Sequence, residues 1–63
     1  MWTVVYMANT REDAERIEEI LIRDGFLVKL KPVSKNSDNG LCEILVPRSE
    51  VEEAHAILLY QGF

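Results

Sequence analysis

The chain contains one cysteine, 7 basic residues and no long apolar run. A single cysteine cannot form an internal disulfide, and small secreted domains usually hold several, so we expect a reducing, cytoplasmic location. Without a signal-peptide pattern or a run of about 18 apolar residues, neither export nor a membrane partner is predicted. Because 11 acidic residues give a net charge of -4, the chain should repel phosphate backbones, and nucleic acid is not an expected partner.

The length of the chain limits what it can build. Its 63 residues, 48% of them hydrophobic and 29% charged, are typical of one soluble globular domain over residues 1–63. A chain of this size removes only about 60% of its unfolded surface from water, which suffices for a thin two-layer core. A self-contained cofactor enzyme is therefore not expected.

The first half of the chain predicts a strand followed by a helix. Residues 2–8 are uncharged and rich in β-branched and aromatic side chains, which favours strand β1. Thr10 is placed to cap a helix α1 that runs over about residues 11–24. Gly25 then supplies the left-handed position that ends a helix, and Phe26 can fold back on its last turn.

The second half predicts two strands and a second helix. Alternating apolar positions predict strand β2 over 26–33 and strand β3 over 41–46, with the turn-forming residues 34–40 as a hairpin loop. Pro47 should stop the ladder of β3. Residues 49–52 fit a capping box that opens helix α2, and an apolar stripe at helical spacing follows.

The two halves resemble each other at an offset of 37 residues. The matched residues are Glu15 with Glu52, Ile20 with Ile57, Leu21 with Leu58, Gly25 with Gly62, and Phe26 with Phe63. Amphipathic helices that end in glycine also look alike by chance, so two interpretations of this match remain open. In a true repeat, Gly62 and Phe63 are expected to open a fourth strand at the point where the chain ends.

The element order β-α-β-β-α predicts an α+β fold. Right-handed crossovers give a two-layer sandwich, ferredoxin-like but lacking the fourth strand, with β3 between β1 and β2 and the sheet order 1-3-2. The outer edge of β1 is then unpaired. Strand β2 carries Lys29, Lys31 and Pro32, which protect sheet edges, whereas β1 carries no such feature.

This unprotected edge predicts that β1 pairs with another strand, most simply β1 of a second copy, to form a homodimer. The partner-binding residues of this hypothesis are Val4, Val5, Tyr6 and Met7. Another protein could also be the partner. In the competing interpretation, Trp2 and Phe63 fold over the edge and leave a monomer.

A second candidate surface is the sheet face that points away from the helices. Alternation along β2 and β3 assigns to it Leu27, Lys29, Lys31, Val33, Leu41, Glu43 and Leu45. Glu43 is expected to neutralise the lysines across the strands. The sequence leaves open whether Val4 and Tyr6 or Val5 and Met7 face the core, since both pairs are apolar.

No catalytic constellation can be assembled from the side chains. Cys42 points inward on β3 without a basic neighbour in sequence, so it should behave as a small hydrophobe. His55 borders the apolar stripe of α2 within reach of Glu52, and one cysteine with one histidine predicts no metal site. The many acidic residues of the helices are expected to form solvated faces. There is no phosphate-binding glycine loop, and β3 lacks the aromatic residues on which RNA-recognition modules stack bases. We therefore predict no enzyme, no cofactor and no metal.

Several of these segments resemble one known family. The matching residues are 4–8, 9–15, Leu21, Gly25, Phe26 and Val28, and they resemble a small bacterial family described as signal transducing proteins, a domain of unknown function. Residues 44–47 followed by 51–54 are similar to that family's signature of strand, Val-Pro and helix. The resemblance implies a ferredoxin-like fold related in shape to the PII nitrogen regulators, and it defines no catalytic residues. The predicted hairpin loop is far shorter than a PII loop, so PII-like ligand sensing is not implied.

Together these observations favour a non-catalytic binding or signalling module that acts through self-association or by binding a protein partner. The alternative is a regulatory sensor, similar to ACT domains, that holds a small metabolite at a dimer interface. A metabolite that raises the melting temperature would favour this alternative. A third interpretation is a small enzyme whose site forms only between subunits, with Cys42 or His55 taking part.

Overall fold

A computed structural model of the protein describes residues 1–33 and 40–63. Its elements are, in chain order, β1 (Trp2–Ala8), α1 (Arg11–Arg23), β2 (Lys29–Pro32), β3 (Cys42–Pro47), a single 3₁₀ turn (Arg48–Glu50) and α2 (Val51–Tyr60). Of the predicted hairpin loop over 34–40, only Gly40 lies within the described residues.

The strands form one antiparallel sheet in the order β1-β3-β2. Because β1 and β2 both run antiparallel to the central strand β3, they are parallel to each other. Helix α2 packs mainly on β1 and helix α1 mainly on β3. The predicted α+β fold, with its β-α-β-β-α order and sheet order 1-3-2, is confirmed.

The core lies between the sheet and the helices. Alternate residues of β3, namely Cys42, Ile44 and Val46, are buried because the central strand has a neighbour on each side and helices over one face. Ile17 of α1 and Leu58 of α2 are also fully buried. Each helix therefore stabilises the fold through one apolar stripe, which is the usual source of helix stability in a small domain.

Helix α1 begins at the predicted cap. The hydroxyl oxygen Oγ1 of Thr10 accepts a hydrogen bond from the backbone N–H of Asp13 at 3.0 Å. Thr10 itself has extended backbone angles, so its side chain satisfies one of the N–H groups that the first turn leaves free. The helix ends at Arg23, one residue before the predicted end.

Both helices end in the same way. The backbone N–H of Phe26 donates to the carbonyl oxygen of Leu21 at 3.0 Å, and that of Phe63 donates to Leu58 at 2.8 Å. The glycine before each phenylalanine has a positive φ, +91° in the first half and +96° in the second. These are the hydrogen bonds of a Schellman motif, in which glycine relieves the steric cost of the left-handed residue.

The start of α2 differs from the prediction. Ser49 lies inside the 3₁₀ turn, the residue before the helix is Glu50, and no side chain caps the first turn of α2. A capping side chain requires extended backbone angles at its own residue, and here the last extended residue is Pro47. The predicted capping box over 49–52 is therefore wrong.

Pro47 does not stop the ladder of β3. It pairs with Trp2, and beyond it the backbone N–H of Arg48 donates to the carbonyl oxygen of Met1 at 2.8 Å. Met1 and Arg48 thus form a hydrogen-bonded pair, and such pairs alternate with non-hydrogen-bonded ones along an antiparallel ladder. The backbone nitrogen of Pro47 therefore points away from β1. Although proline has no N–H, no hydrogen bond to β1 is lost at this position.

The bounds of β2 and β3 also shift. Strand β2 covers Lys29–Pro32 instead of 26–33, and β3 covers Cys42–Pro47 instead of 41–46. The shortening of β2 has a local cause, since the backbone of Phe26 is engaged in closing α1. Phe26 is buried, and Val28 and Leu30 pack against the core, so alternate residues of the predicted segment 26–33 face inward as its alternation indicates.

Candidate interaction surface on the first strand

A β-bulge interrupts the pairing of β1. Val4 pairs with Leu45 and Tyr6 pairs with Ile44, so Val5 has no partner of its own. Two residues of β1 therefore stand against one residue of β3, which is the defining feature of a bulge. Because the pleat slips by one position there, residues before and after Val5 follow opposite alternations.

The bulge divides the four residues that the sequence assigned to partner binding. Val5 is buried with 9% of its surface exposed, and Tyr6 packs against the core. Val4 and Met7 are 42% and 43% exposed and lie on the face away from the helices. Neither of the two predicted alternations is right, since Val5 and Tyr6 together face the core.

The outer edge of β1 is unpaired in the part of the chain that the structure describes, because β3 is the only strand beside it. The alternation that starts at the Met1–Arg48 pair fixes the direction of the backbone groups. Thr3 points its N–H and carbonyl toward β3, while Trp2 and Val4 point theirs outward. The half of β1 before the bulge thus offers two residues with free donors and acceptors to an incoming strand.

This edge is nevertheless not wholly unprotected. A bulge in an edge strand bends it and interrupts the regular row of backbone groups, and natural proteins use bulges in this way against uncontrolled pairing. The prediction that β1 carries no protective feature is therefore wrong. The consequence is a regular pairing segment limited to Trp2–Val4, followed by an irregular one.

Neither aromatic residue of the competing interpretation covers the outer edge. The Nζ atom of Lys29, on the far strand β2, lies 4.9 Å from the centre of the Trp2 ring. The Trp2 ring must therefore extend across β3 on the open face. Phe63 packs edge-on against Tyr6, with ring centres 5.8 Å apart, and the guanidinium of Arg16 lies 5.6 Å from its ring. Phe63 thus lies on the helix side of the sheet.

The open face of the sheet combines apolar and charged side chains. On β1 it carries the half-exposed side chains of Trp2, Val4 and Met7. On β3, Leu45 stands opposite Val4 and Lys29, and Glu43 stands opposite Met7 and Lys31. Glu43 stands opposite Lys31 in the register, but the predicted neutralisation is not seen as an ion pair, since among the described residues only Arg23 and Glu19 lie within 4.0 Å of each other as one. The Lys29 cation near the Trp2 ring adds an attraction of roughly 0.5–1 kcal/mol at an exposed site.

The two residues whose side chains were considered for catalysis or metal binding, Cys42 and His55, lie apart. Cys42 is buried, with its Sγ atom 3.6 Å from the carbonyl oxygen of Glu43, and His55 is exposed on α2. Within residues 1–33 and 40–63, no three histidine, cysteine, aspartate or glutamate side chains are grouped to hold a metal ion. In the same residues, neither helix has the length and apolar character needed to cross a membrane.

The described part of the chain defines a class: a small α+β module with an open sheet face and, among those residues, an unpaired and uncharged sheet edge. No protein-family model, curated protein or solved structure matches the chain. The resemblance to bacterial signal transducing proteins therefore stays a prediction.

Proposed function

We propose that this protein is a non-catalytic, cytoplasmic binding module that acts by self-association, and that the second copy adds to the sheet at the outer edge of β1. One observation carries the proposal: within residues 1–33 and 40–63, no strand pairs with the outward backbone groups of Trp2 and Val4 on the uncharged edge strand β1, and half-exposed apolar side chains lie beside them. Strand addition at such an edge is a common mode of protein recognition, because the backbone supplies the hydrogen bonds.

A second copy fits this edge better than an arbitrary strand does. Two-fold symmetry brings the same donors and acceptors together in complementary positions, which makes an edge strand its own partner. No residue of β1 is charged, so the copies meet without like charges facing each other across the new ladder. The resemblance to signal transducing proteins supports a regulatory use of such an association.

The test is the mass of the protein in solution, measured by light scattering over a concentration series. The parent chain is expected to be a dimer, and Val4→Lys a folded monomer, because a lysine on an edge strand opposes pairing. Position 4 is chosen because Val5 is buried, and a lysine there would unfold the core and remove the dimer for an unrelated reason.

Leu27→Lys is the matched control for this substitution. It makes the same change of charge and also replaces an exposed aliphatic residue, 65% exposed, but it lies beside the opposite edge of the sheet. The control is expected to remain a dimer. A parent chain that stays monomeric at millimolar concentration would contradict the proposal, as would a Val4→Lys variant that dimerises like the parent.

No observation on the described residues favours the ACT-like metabolite sensor or an enzyme formed between subunits. Cys42 is buried and His55 is exposed on the other layer of the fold.

A further inference from the structure

We infer that the two copies pair through the half of β1 before the bulge, antiparallel, with Thr3 of each copy on the two-fold axis. This inference rests on the proposed self-association and adds its register. The bulge at Val5 sets that register because it ends the regular part of the edge.

The backbone directions select the pairs. An antiparallel ladder between copies needs residues whose backbone groups point outward on both strands, and before the bulge these are Trp2 and Val4. Trp2 of one copy then exchanges hydrogen bonds with Val4 of the other, and Val4 with Trp2 in return. Thr3, whose backbone groups are bound to β3, faces Thr3 of the second copy as a non-hydrogen-bonded pair.

The side chains support the same pairs. On the open face, the Trp2 ring extends over its own β3 toward Lys29, so it leaves space beside its backbone for Val4 of the second copy. On the helix side, the two threonines meet as a Thr–Thr pair, which is favourable.

The competing register places Val4 opposite Val4 and Trp2 opposite Met7 of the second copy. In this register, the three residue steps from Val4 to Met7 of one copy lie opposite only two steps, from Val4 to Trp2, of the other copy. The ladder therefore has to cross the bulge at Val5 in both copies. Each crossing costs regular hydrogen bonds. A symmetric pairing centred on Thr3 avoids both bulges.

Disulfide trapping distinguishes the two registers. Thr3→Cys and Val4→Cys are made separately in a Cys42→Ala background, so that each chain carries one thiol, and circular dichroism checks that each is folded. With Thr3 on the axis, the two Cα atoms at position 3 lie about 4.5 Å apart and those at position 4 about 7–8 Å apart. A disulfide spans about 4.4–6.8 Å, so Thr3→Cys should cross-link at least about tenfold faster than Val4→Cys.

A mixture supplies a second measurement that does not depend on position 3. Trp2→Cys and Val4→Cys, mixed in equal amounts, are expected to form the cross-linked heterodimer in preference to either homodimer. In the inferred register these two positions are directly opposite, with Cα atoms about 5.5 Å apart.

The outcomes separate the register from the dimer itself. Faster cross-linking of Thr3→Cys, together with the heterodimer, supports the inference. Faster cross-linking of Val4→Cys in a dimeric protein overturns the register and leaves the proposed function standing. A dimeric parent in which neither variant cross-links faster than a thiol at Leu27→Cys overturns both the register and the use of the β1 edge. A monomeric parent overturns the proposed function and the inference with it.

Discussion

A Cβ atom at Gly40 would lie 2.7 Å from the backbone nitrogen of Arg11 and 3.3 Å from backbone atoms of Thr10. Gly40 therefore brings the beginning of the β3 segment into close contact with the first turn of α1. Gly25 has a similar positive φ but nothing within 4 Å of its position for a Cβ atom. At both positions the positive φ would strain any residue that has a side chain. Only at Gly40 would the added Cβ atom also collide with the backbone of a neighbouring segment.

This difference predicts the cost of an added methyl group. Gly25→Ala is expected to lower the free energy of unfolding by about 1 kcal/mol, the strain of a left-handed alanine. Gly40→Ala should lower it by roughly 2–4 kcal/mol, because a backbone atom of a capped helix must also move. Urea unfolding of both variants measures the difference, and equal losses would show that Gly40 has more space than the structure gives it.

Two residues of the chain carry the signature of a helix cap, and one of them acts as a cap. Thr10 follows a strand and the exposed Asn9 and has extended backbone angles itself, so its hydroxyl reaches the N–H of Asp13. Ser49 also has a side-chain hydroxyl and an acidic residue, Glu52, three positions on, but it lies within a 3₁₀ turn. Side-chain type thus identifies a possible cap, while the path of the backbone before it decides whether the cap forms.

The bulge at Val5 is the decisive feature at the scale of elements. It turns Val5 and Tyr6 together toward the core and leaves Val4 and Met7 on the open face. The sequence could not reveal this arrangement, because all four residues are apolar and either alternation buries an acceptable pair. A bulge that lacks glycine has no marker in this strand, and its position depends on the partner strand β3.

Truncation of the two valines tests the bulge. Val5→Ala is expected to lower the free energy of unfolding by about 2 kcal/mol, since it leaves a cavity in the core. Val4→Ala should lower it by less than about 0.5 kcal/mol, as is usual for an exposed position. Urea unfolding is measured at a concentration where the mass is monomeric, because dimerisation adds stability that depends on concentration. A larger loss for Val4→Ala would place Val4 in the core and contradict the bulge.

At the scale of the whole molecule, charge and the predicted interface are kept apart. The net charge is -4 and the sequence pI about 4.8. Acidic residues such as Glu15, Glu19, Glu52 and Glu53 are exposed on the helices, whereas β1 carries no charge. The proposed dimer therefore combines long-range repulsion between its copies with attraction through the ladder and apolar contact alone.

This separation predicts how salt affects the dimer. Raising the salt concentration from about 0.01 M to about 0.5 M shortens the screening length from about 30 Å to under about 8 Å. The dissociation constant of the dimer, measured by sedimentation or by the emission of Trp2 on dilution, should fall severalfold. An association that weakens with salt would require an interface made of charge pairs, which the β1 edge does not contain.

The sequence by itself determined the element order, the sheet order, the start of α1 and the closing turns of both helices. These features depend on periodicity and on residues such as Thr10, Gly25 and Gly62, whose preferences act over a few neighbouring positions. Only the tertiary structure decided the bulge at Val5, the course of β3 past Pro47 and the loss of the cap at Ser49. Each of these depends on how one strand aligns with another, and that alignment is set by packing between segments distant in sequence, which local preferences do not encode.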